Sequence, residues 1–214
     1  MALDLSPLHP QVKRCSELYG PNQYPDSAEF IQTVNQHYQL SLEVGLKLLK
    51  AMAIALGEEE DFFTNSFSYP ISVLRLIHYP AQKEATNGAG AHTDYGCITL
   101  LYQDDSGGLQ VQNVDGDWID AVPIAGSLVV NIGDLMQRWT NGIYQSTPHR
   151  VTSPISGKTR FSMPFFVEPD FDTPISTLPS CITQQTPKVF EDTFAGEWIL
   201  SRFEQTYTYR NEIE

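Results

Sequence analysis

His92-Thr93-Asp94 sets an imidazole and a carboxylate two residues apart. In an extended segment such residues point to the same side, so both side chains can approach one point. A third donor has to come from elsewhere in the chain, and His149, preceded by Pro148, falls in a late stretch that reads as a strand. Two imidazoles and one carboxylate on one face of a metal ion leave three adjacent positions open. That facial set suits an iron(II) centre that must hold a bidentate small molecule and dioxygen together. Each feature also has a blander reading. His-x-Asp is commonly a surface turn, and a lone strand histidine is commonly a hydrogen-bonded core residue. With five histidines in the chain (9, 37, 78, 92 and 149), these two features alone leave both readings open.

A further stretch bears on the same question. Arg160-Phe161-Ser162-Met163-Pro164-Phe165-Phe166 alternates as a strand does, with Arg160 and Ser162 on one face and Phe161 and Met163 on the other. A guanidinium within an apolar strand is costly to bury unless an anion meets it. Arginine offers a planar fork that suits a carboxylate, and a serine beside it adds a hydroxyl donor. The anion is either a protein Asp or Glu, or a carboxylate on a ligand. Phe166 has the same strand parity and can point to the same side, with Glu168 following at the mouth.

These residues need a scaffold. The chain has 214 residues, enough for one domain with a full core, and 41% of them are hydrophobic. Its formal net charge of −13 repels phosphate backbones and anionic lipid, which argues against nucleic acid and membrane surfaces as partners. Cys15, Cys97 and Cys181 are widely spaced and odd in number, neither a zinc framework nor a disulfide scaffold, so a reducing cytoplasm is the expected compartment. The N-terminus lacks the apolar run of a signal peptide, and no stretch is apolar enough to span a bilayer.

Residues 26–56 read as a helix, with Phe30, Ile31, Val34, Tyr38, Leu42, Leu46, Leu49, Ala53 and Leu56 on one face. Asp26 with Glu29 resembles a capping box, and Gly57 fits the C′ stop. Short β-rich runs follow at 72–79, 97–103, 109–113, 118–122, 127–132, 144–151 and 160–167, separated by turn signals such as Asp115-Gly116 and Ser156-Gly157. Asp134 is placed to cap a helical turn reaching Trp139, and Asn131 reads as a buried amide that satisfies backbone groups. A Pro-rich loop (172–187) leads to a helix over about 188–209 that would lay Phe190, Phe194, Trp198, Ile199 and Phe203 on the strands. The pattern predicts one α+β domain, mainly β.

Taken in order, His92-Thr93-Asp94-Tyr95-Gly96, Gly107-Gly108-Leu109-Gln110-Val111, Val130-Asn131-Ile132-Gly133-Asp134, His149-Arg150-Val151 and Arg160-Phe161-Ser162 resemble the 2-oxoglutarate- and iron(II)-dependent oxygenases of the isopenicillin N synthase-like group. The likeness runs from about residue 20 to 205. It implies a double-stranded β-helix, or jelly roll, with the long N-terminal helix and a C-terminal helix packed on it. It implies iron(II) bound by His92, Asp94 and His149, and 2-oxoglutarate held through its far carboxylate by Arg160 and Ser162, with ascorbate as a supporting reductant. Tyr79 falls where the family often has a tyrosine touching the co-substrate. Here Ile77-His78-Tyr79-Pro80 stands for the family's Asn-Tyr-Tyr-Pro, so one polar contact is missing. Phe166 and Glu168 match positions used for substrate contact.

The expected division is a lead-in and supporting helix at 1–70, short relative to the family, a jelly-roll oxygenase core at 71–170, and a C-terminal loop and helix at 171–214. The reaction implied is hydroxylation or desaturation of a small organic substrate by dioxygen, with release of succinate and carbon dioxide. Two alternatives stand beside it: an iron(II) oxidase on the same fold that does not use 2-oxoglutarate, and a truncated, non-catalytic binding protein.

Overall fold

The computed structural model describes residues 1–81, 87–152 and 158–206. A short helix, α1 (Pro10–Arg14), precedes the long helix α2 (Ala28–Ala55). The strands are β1 (Val73–Leu74), β2 (Ile77–Tyr79), β3 (Asn87–His92), β4 (Ile98–Gln103), β5 (Leu109–Gln112), β6 (Trp118–Asp120), β7 (Val129–Ile132), β8 (His149–Thr152) and β9 (Arg160–Val167). Helix α3 (Asp134–Trp139) lies between β7 and β8. A ribbon of β10 (Pro174–Ile175) and β11 (Thr193–Phe194) leads into helix α4 (Ala195–Thr206).

Two antiparallel sheets carry the fold. The larger is ordered β1-β9-β4-β7, with β2 also on β9, and the smaller is ordered β3-β8-β5-β6. From β3 onward the chain passes repeatedly from one sheet to the other, so sheet neighbours are distant in sequence, as in a jelly roll. The inner faces enclose a cavity. The outer face of the larger sheet is covered by α2, where Tyr38 meets Phe165 edge-on at 5.1 Å and donates from its hydroxyl to Ser72 O at 3.2 Å. Ile199 of α4 is buried in the same core, with Trp198 and Phe203 half-buried against it. The expected mainly-β jelly roll with helices packed on it is the observed architecture.

Several local expectations are corrected. The α2 cap is Ser27, whose side chain accepts from Phe30 N–H, and not Asp26; Gly57 does take the left-handed C′ position at φ 78°. The buried line of α2 is Val34, Tyr38, Ser41, Gly45, Leu49 and Ala53, so Leu42 and Leu46 flank the interface and Phe30 is partly exposed. The run at 72–79 is two strands interrupted at Arg75 and Leu76. Strand β3 has no counterpart among the expected runs, because Asn87-Gly88-Ala89-Gly90-Ala91 carries little strand propensity and is made a strand by pairing with β8. The stretch before His149 is not a strand: Tyr144 N–H is taken by Thr140 Oγ1 (3.1 Å) and Ser146 N–H by Gln137 Oε1 (2.6 Å), which tie it to α3. No helix starts at 188. The Asn141 side chain holds Pro187 O and Val189 N–H, β11 pairs with β10, and the helix begins only at Ala195, leaving Phe190 and Phe194 outside it. The Ser156-Gly157 turn and residues 207–209 of the expected helix lie outside the described residues.

Candidate metal centre

β3 and β8 are neighbours in the smaller sheet, and His92 is directly opposed to His149 across them. Their ring centroids are 4.4 Å apart with the planes tilted by 55°. Cross-strand pairing is thus the device that joins two distant histidines. A bulge in β3 does the aiming. Ala89 opposes Val151 and His92 opposes His149, so three steps on one strand match two on the other. With strict alternation Ala89 and His92 would face opposite sides; with the extra residue both line the cavity.

Asp94 follows β3 in a loop that hangs on the N-terminus of α3. Asp134 N–H donates to Asp94 O (2.8 Å), Leu135 N–H to Tyr95 O (3.2 Å) and Gly96 O (3.0 Å), and Gly133 N–H to Cys97 O (2.9 Å). Those are the N–H groups that a helix cannot pair internally. The approach is so close that a Cβ on Gly133 would stand 2.2 Å from Gly96 O, which only glycine permits. The N-cap of α3 is therefore Gly133, and Asp134 acts through its backbone as the first residue of the helix.

The donor atoms are oriented. His92 Nδ1 lies 2.7 Å from Gly90 O, and His149 Nδ1 lies 3.1 Å from Thr147 O. A carbonyl oxygen can only accept, so in each neutral ring the proton sits on Nδ1 and the lone pair on Nε2. His149 Nε2 is 3.6 Å from Asp94 Oδ1. Asn131 Nδ2 donates to Asp94 Oδ2 at 3.2 Å, so this amide holds a carboxylate and does not satisfy backbone groups as expected. One ligand atom from each of His92, Asp94 and His149 lies within 4.8 Å of the other two. Asp94 and His149 are each 6% exposed, while His92 lines the cavity where it is open to solvent. Among the described residues, the buried Asp94 carboxylate accepts from a single amide and has no Lys or Arg beside it, and the two aimed imidazole lone pairs have no donor. A divalent ion fits both needs.

The cavity holding these atoms has a volume of about 220 Å³. Arg160 and Ser162 line it from β9 and are 1% and 2% exposed. Arg160 Nε donates to Gly107 O (2.8 Å) and Nη2 reaches Gln103 Oε1 (3.5 Å), while Nη1 is buried with no partner among the described residues. Burial pulls the guanidinium's pKa below its ordinary value. Tyr79, opposed to Arg160 in the sheet, sets its ring 5.0 Å from the guanidinium carbon. An orphaned buried donor beside a serine hydroxyl is a socket for a carboxylate, which fits the far end of 2-oxoglutarate.

Phe166 is half-buried and lines the cavity as its parity suggested. Glu168 is not at the mouth. It is 7% exposed, absent from the cavity lining, and packs where a side chain on Gly96 would stand, because Ser72 pairs with its backbone and draws it under the Asp94 loop. Burial, with the Asp94 charge second, pushes its carboxyl up to about 8. Sequence reasoning missed Arg75, which also lines the cavity. Its signal was present: Arg75, Ile77 and Tyr79 alternate along one face.

With this geometry in hand, likeness to known proteins is informative. Residues 70–169 match the 2OG-Fe(II) oxygenase superfamily. The chain is 36% identical over 208 residues to the 2-oxoglutarate-Fe(II) type oxidoreductase hxnY of Emericella nidulans, spanning 91% of this chain and 59% of that protein. It is 38% identical over 203 residues to the homoarginine-6-hydroxylase 2-ODD-C23.1 of Arabidopsis thaliana, spanning 88% of this chain and 60% of that one. It therefore covers under two thirds of these relatives' length. A crystal structure of a 2OG-Fe(II) oxygenase family protein from Caulobacter crescentus superposes with a TM-score of 0.87 at 37% identity, over 96% of this chain and 68% of that one. A full-length Neurospora crassa protein, solved in complex with alpha-KG and 5-formyluracil, gives a TM-score of 0.84 at 32% identity over the same shares, 96% and 68%. An aimed His-Asp-His donor set, a carboxylate socket in the same cavity and relatives of this kind converge on one conclusion: the chain belongs to the 2OG-Fe(II) oxygenase superfamily.

Proposed function

We propose that this protein is a non-haem iron(II)- and 2-oxoglutarate-dependent dioxygenase that oxidises a small organic substrate, with hydroxylation as its reaction. The observation that carries the proposal is the pairing, in one cavity, of the three oriented donors with the orphaned Nη1 of buried Arg160. Hydroxylation is preferred because named relatives are homoarginine-6-hydroxylases. Residues 71–170 are read as the catalytic core, with 1–70 and 171–214 as its cover.

Iron(II), when bound, supplies the redox chemistry that couples decarboxylation of 2-oxoglutarate to succinate with oxidation of the substrate by dioxygen. The protein's part is position. His92 Nε2, His149 Nε2 and one Asp94 oxygen would hold the ion, with Nδ1–carbonyl bonds fixing both rings and Asn131 fixing the carboxylate. Arg160 and Ser162 would take the far carboxylate of 2-oxoglutarate, with Tyr79 against the guanidinium. Leu101, Leu109, Val151, Pro164 and Phe166 give the cavity apolar walls that keep water from the reacting atoms. Net charge of −13, and no helix among the described residues long and apolar enough to cross a membrane, support a small molecule in preference to nucleic acid or lipid as partner. Three free, buried cysteines support a reducing, cytoplasmic setting.

The test is anaerobic titration of the protein with iron(II), then 2-oxoglutarate, following the visible charge-transfer band of the chelate. The band should appear only with both present, and succinate should form once oxygen and ascorbate are admitted. Iron binding with no response to 2-oxoglutarate would reassign the protein as an oxidase that does not use this co-substrate.

A further inference from the structure

Among the described residues, the cavity wall carries three formally charged side chains: Asp94, Arg160 and Arg75. Resting on the function proposed above, two of them have assigned partners. Asp94 would meet the ion, and Arg160, which also feels the Asp104 charge, would meet the far carboxylate of 2-oxoglutarate. Arg75 belongs to neither site. Among the described residues no carboxylate lies within ion-pair distance of its side chain and no aromatic ring is stacked on it.

Its place is fixed by backbone. Arg75 N–H donates to Pro164 O at 3.0 Å, one inward step past Ile77, which opposes Ser162, and two past Tyr79, which opposes Arg160. Arg75 thus stands at the opposite end of this wall from the carboxylate socket. It is exposed, and it also borders a larger open groove of about 500 Å³. Between the two arginines the wall is apolar: Ile77, Leu101, Pro164 and Phe166. In a protein of net charge −13, an anion approaches against the overall field, so a local uncompensated cation at the entrance is selective.

We propose that Arg75 anchors the primary substrate through a carboxylate, and that the substrate class is a small organic acid whose apolar portion lies along Ile77 and Phe166 toward the metal. A guanidinium at a partly open site attracts a carboxylate by its fork geometry, and lysine would retain the charge without the fork.

The test uses zinc(II)-substituted protein saturated with 2-oxoglutarate, so that no turnover occurs and Arg160 is occupied. Phenylacetate is compared with phenylacetamide, and octanoate with octanamide, by ligand-observed NMR titration. The acid of at least one pair should bind tenfold or more tighter than its amide. Arg75→Gln should bring that ratio to about one, Arg75→Lys should retain part of it, and 2-oxoglutarate affinity should stay as in the parent protein. An equal ratio in the parent protein, a preference that survives Arg75→Gln, or no saturable binding of either acid overturns the inference. Failure of 2-oxoglutarate itself to bind is a separate outcome, which removes the underlying function and this inference with it.

Discussion

Replacing Arg160 with methionine should move stability and co-substrate affinity in opposite directions. The guanidinium is 1% exposed and its pKa is drawn down by burial. Gly107 O and Gln103 Oε1 engage Nε and Nη2, the latter at a long 3.5 Å, and Nη1 has no partner among the described residues. The Tyr79 side chain and the Asp104 charge also favour the guanidinium, but burial outweighs them, so in the ligand-free protein its cost is only partly offset. An unsatisfied buried donor costs about 1–3 kcal/mol, and exchanging buried charge for an apolar side chain of similar volume is often neutral or stabilising by roughly 1–4 kcal/mol. Arg160→Met should thus leave the ligand-free protein as stable as the parent or more so, read as the urea midpoint. The same change removes the charged partner of a desolvated carboxylate, which costs about 2–5 kcal/mol of binding. That corresponds to a loss of roughly 30-fold to several thousand-fold in 2-oxoglutarate affinity, read in the anaerobic titration. Marked destabilisation together with unchanged affinity would refute the reasoning, because it would mean that Arg160 serves a structural partner and not a ligand.

Asn131→Ala removes the one amide on Asp94 and should weaken manganese(II) binding by about 10- to 100-fold, measured by EPR of the free ion; an unchanged dissociation constant would show that the carboxylate is oriented without it. His149→Ala should abolish iron-dependent succinate formation in a folded protein, and undiminished turnover would remove His149 from the donor set. Glu168 gives a pH prediction. Its folded-state pKa, pushed up to about 8 chiefly by burial, lies above the ordinary 4.5, so the folded protein holds the proton while the unfolded chain releases it. Metal-free protein should therefore lose stability as pH rises from about 4.5 through 8, and Glu168→Gln should flatten that decline; parallel denaturation profiles for the two proteins would contradict it.

The sequence by itself offered the donor groups and the faces that carry them. Donor types and spacing offered His92, Asp94 and His149 as candidates and left a bland reading beside them, which the ordered motifs of a known family resolved; strand parity placed Arg160, Ser162 and Phe166 on one face, and turn signals set most of the strands apart, because side-chain periodicity and turn preference are local properties. What only the tertiary structure decided are features that depend on partners distant in the chain. Strand β3 is made of residues with little strand propensity and exists through its pairing with β8, and the bulge in that pairing turns His92 inward. The N-terminus of α3 grips the Asp94 loop, Asn131 turns out to hold a carboxylate, and Glu168 is drawn beneath Gly96 and away from the cavity. Arg75 had the right parity, but only the folded chain sets it on the cavity wall with no carboxylate in ion-pair distance among the described residues. Periodicity fixes which way a side chain faces; what it meets there is set by long-range packing, and local sequence does not encode that.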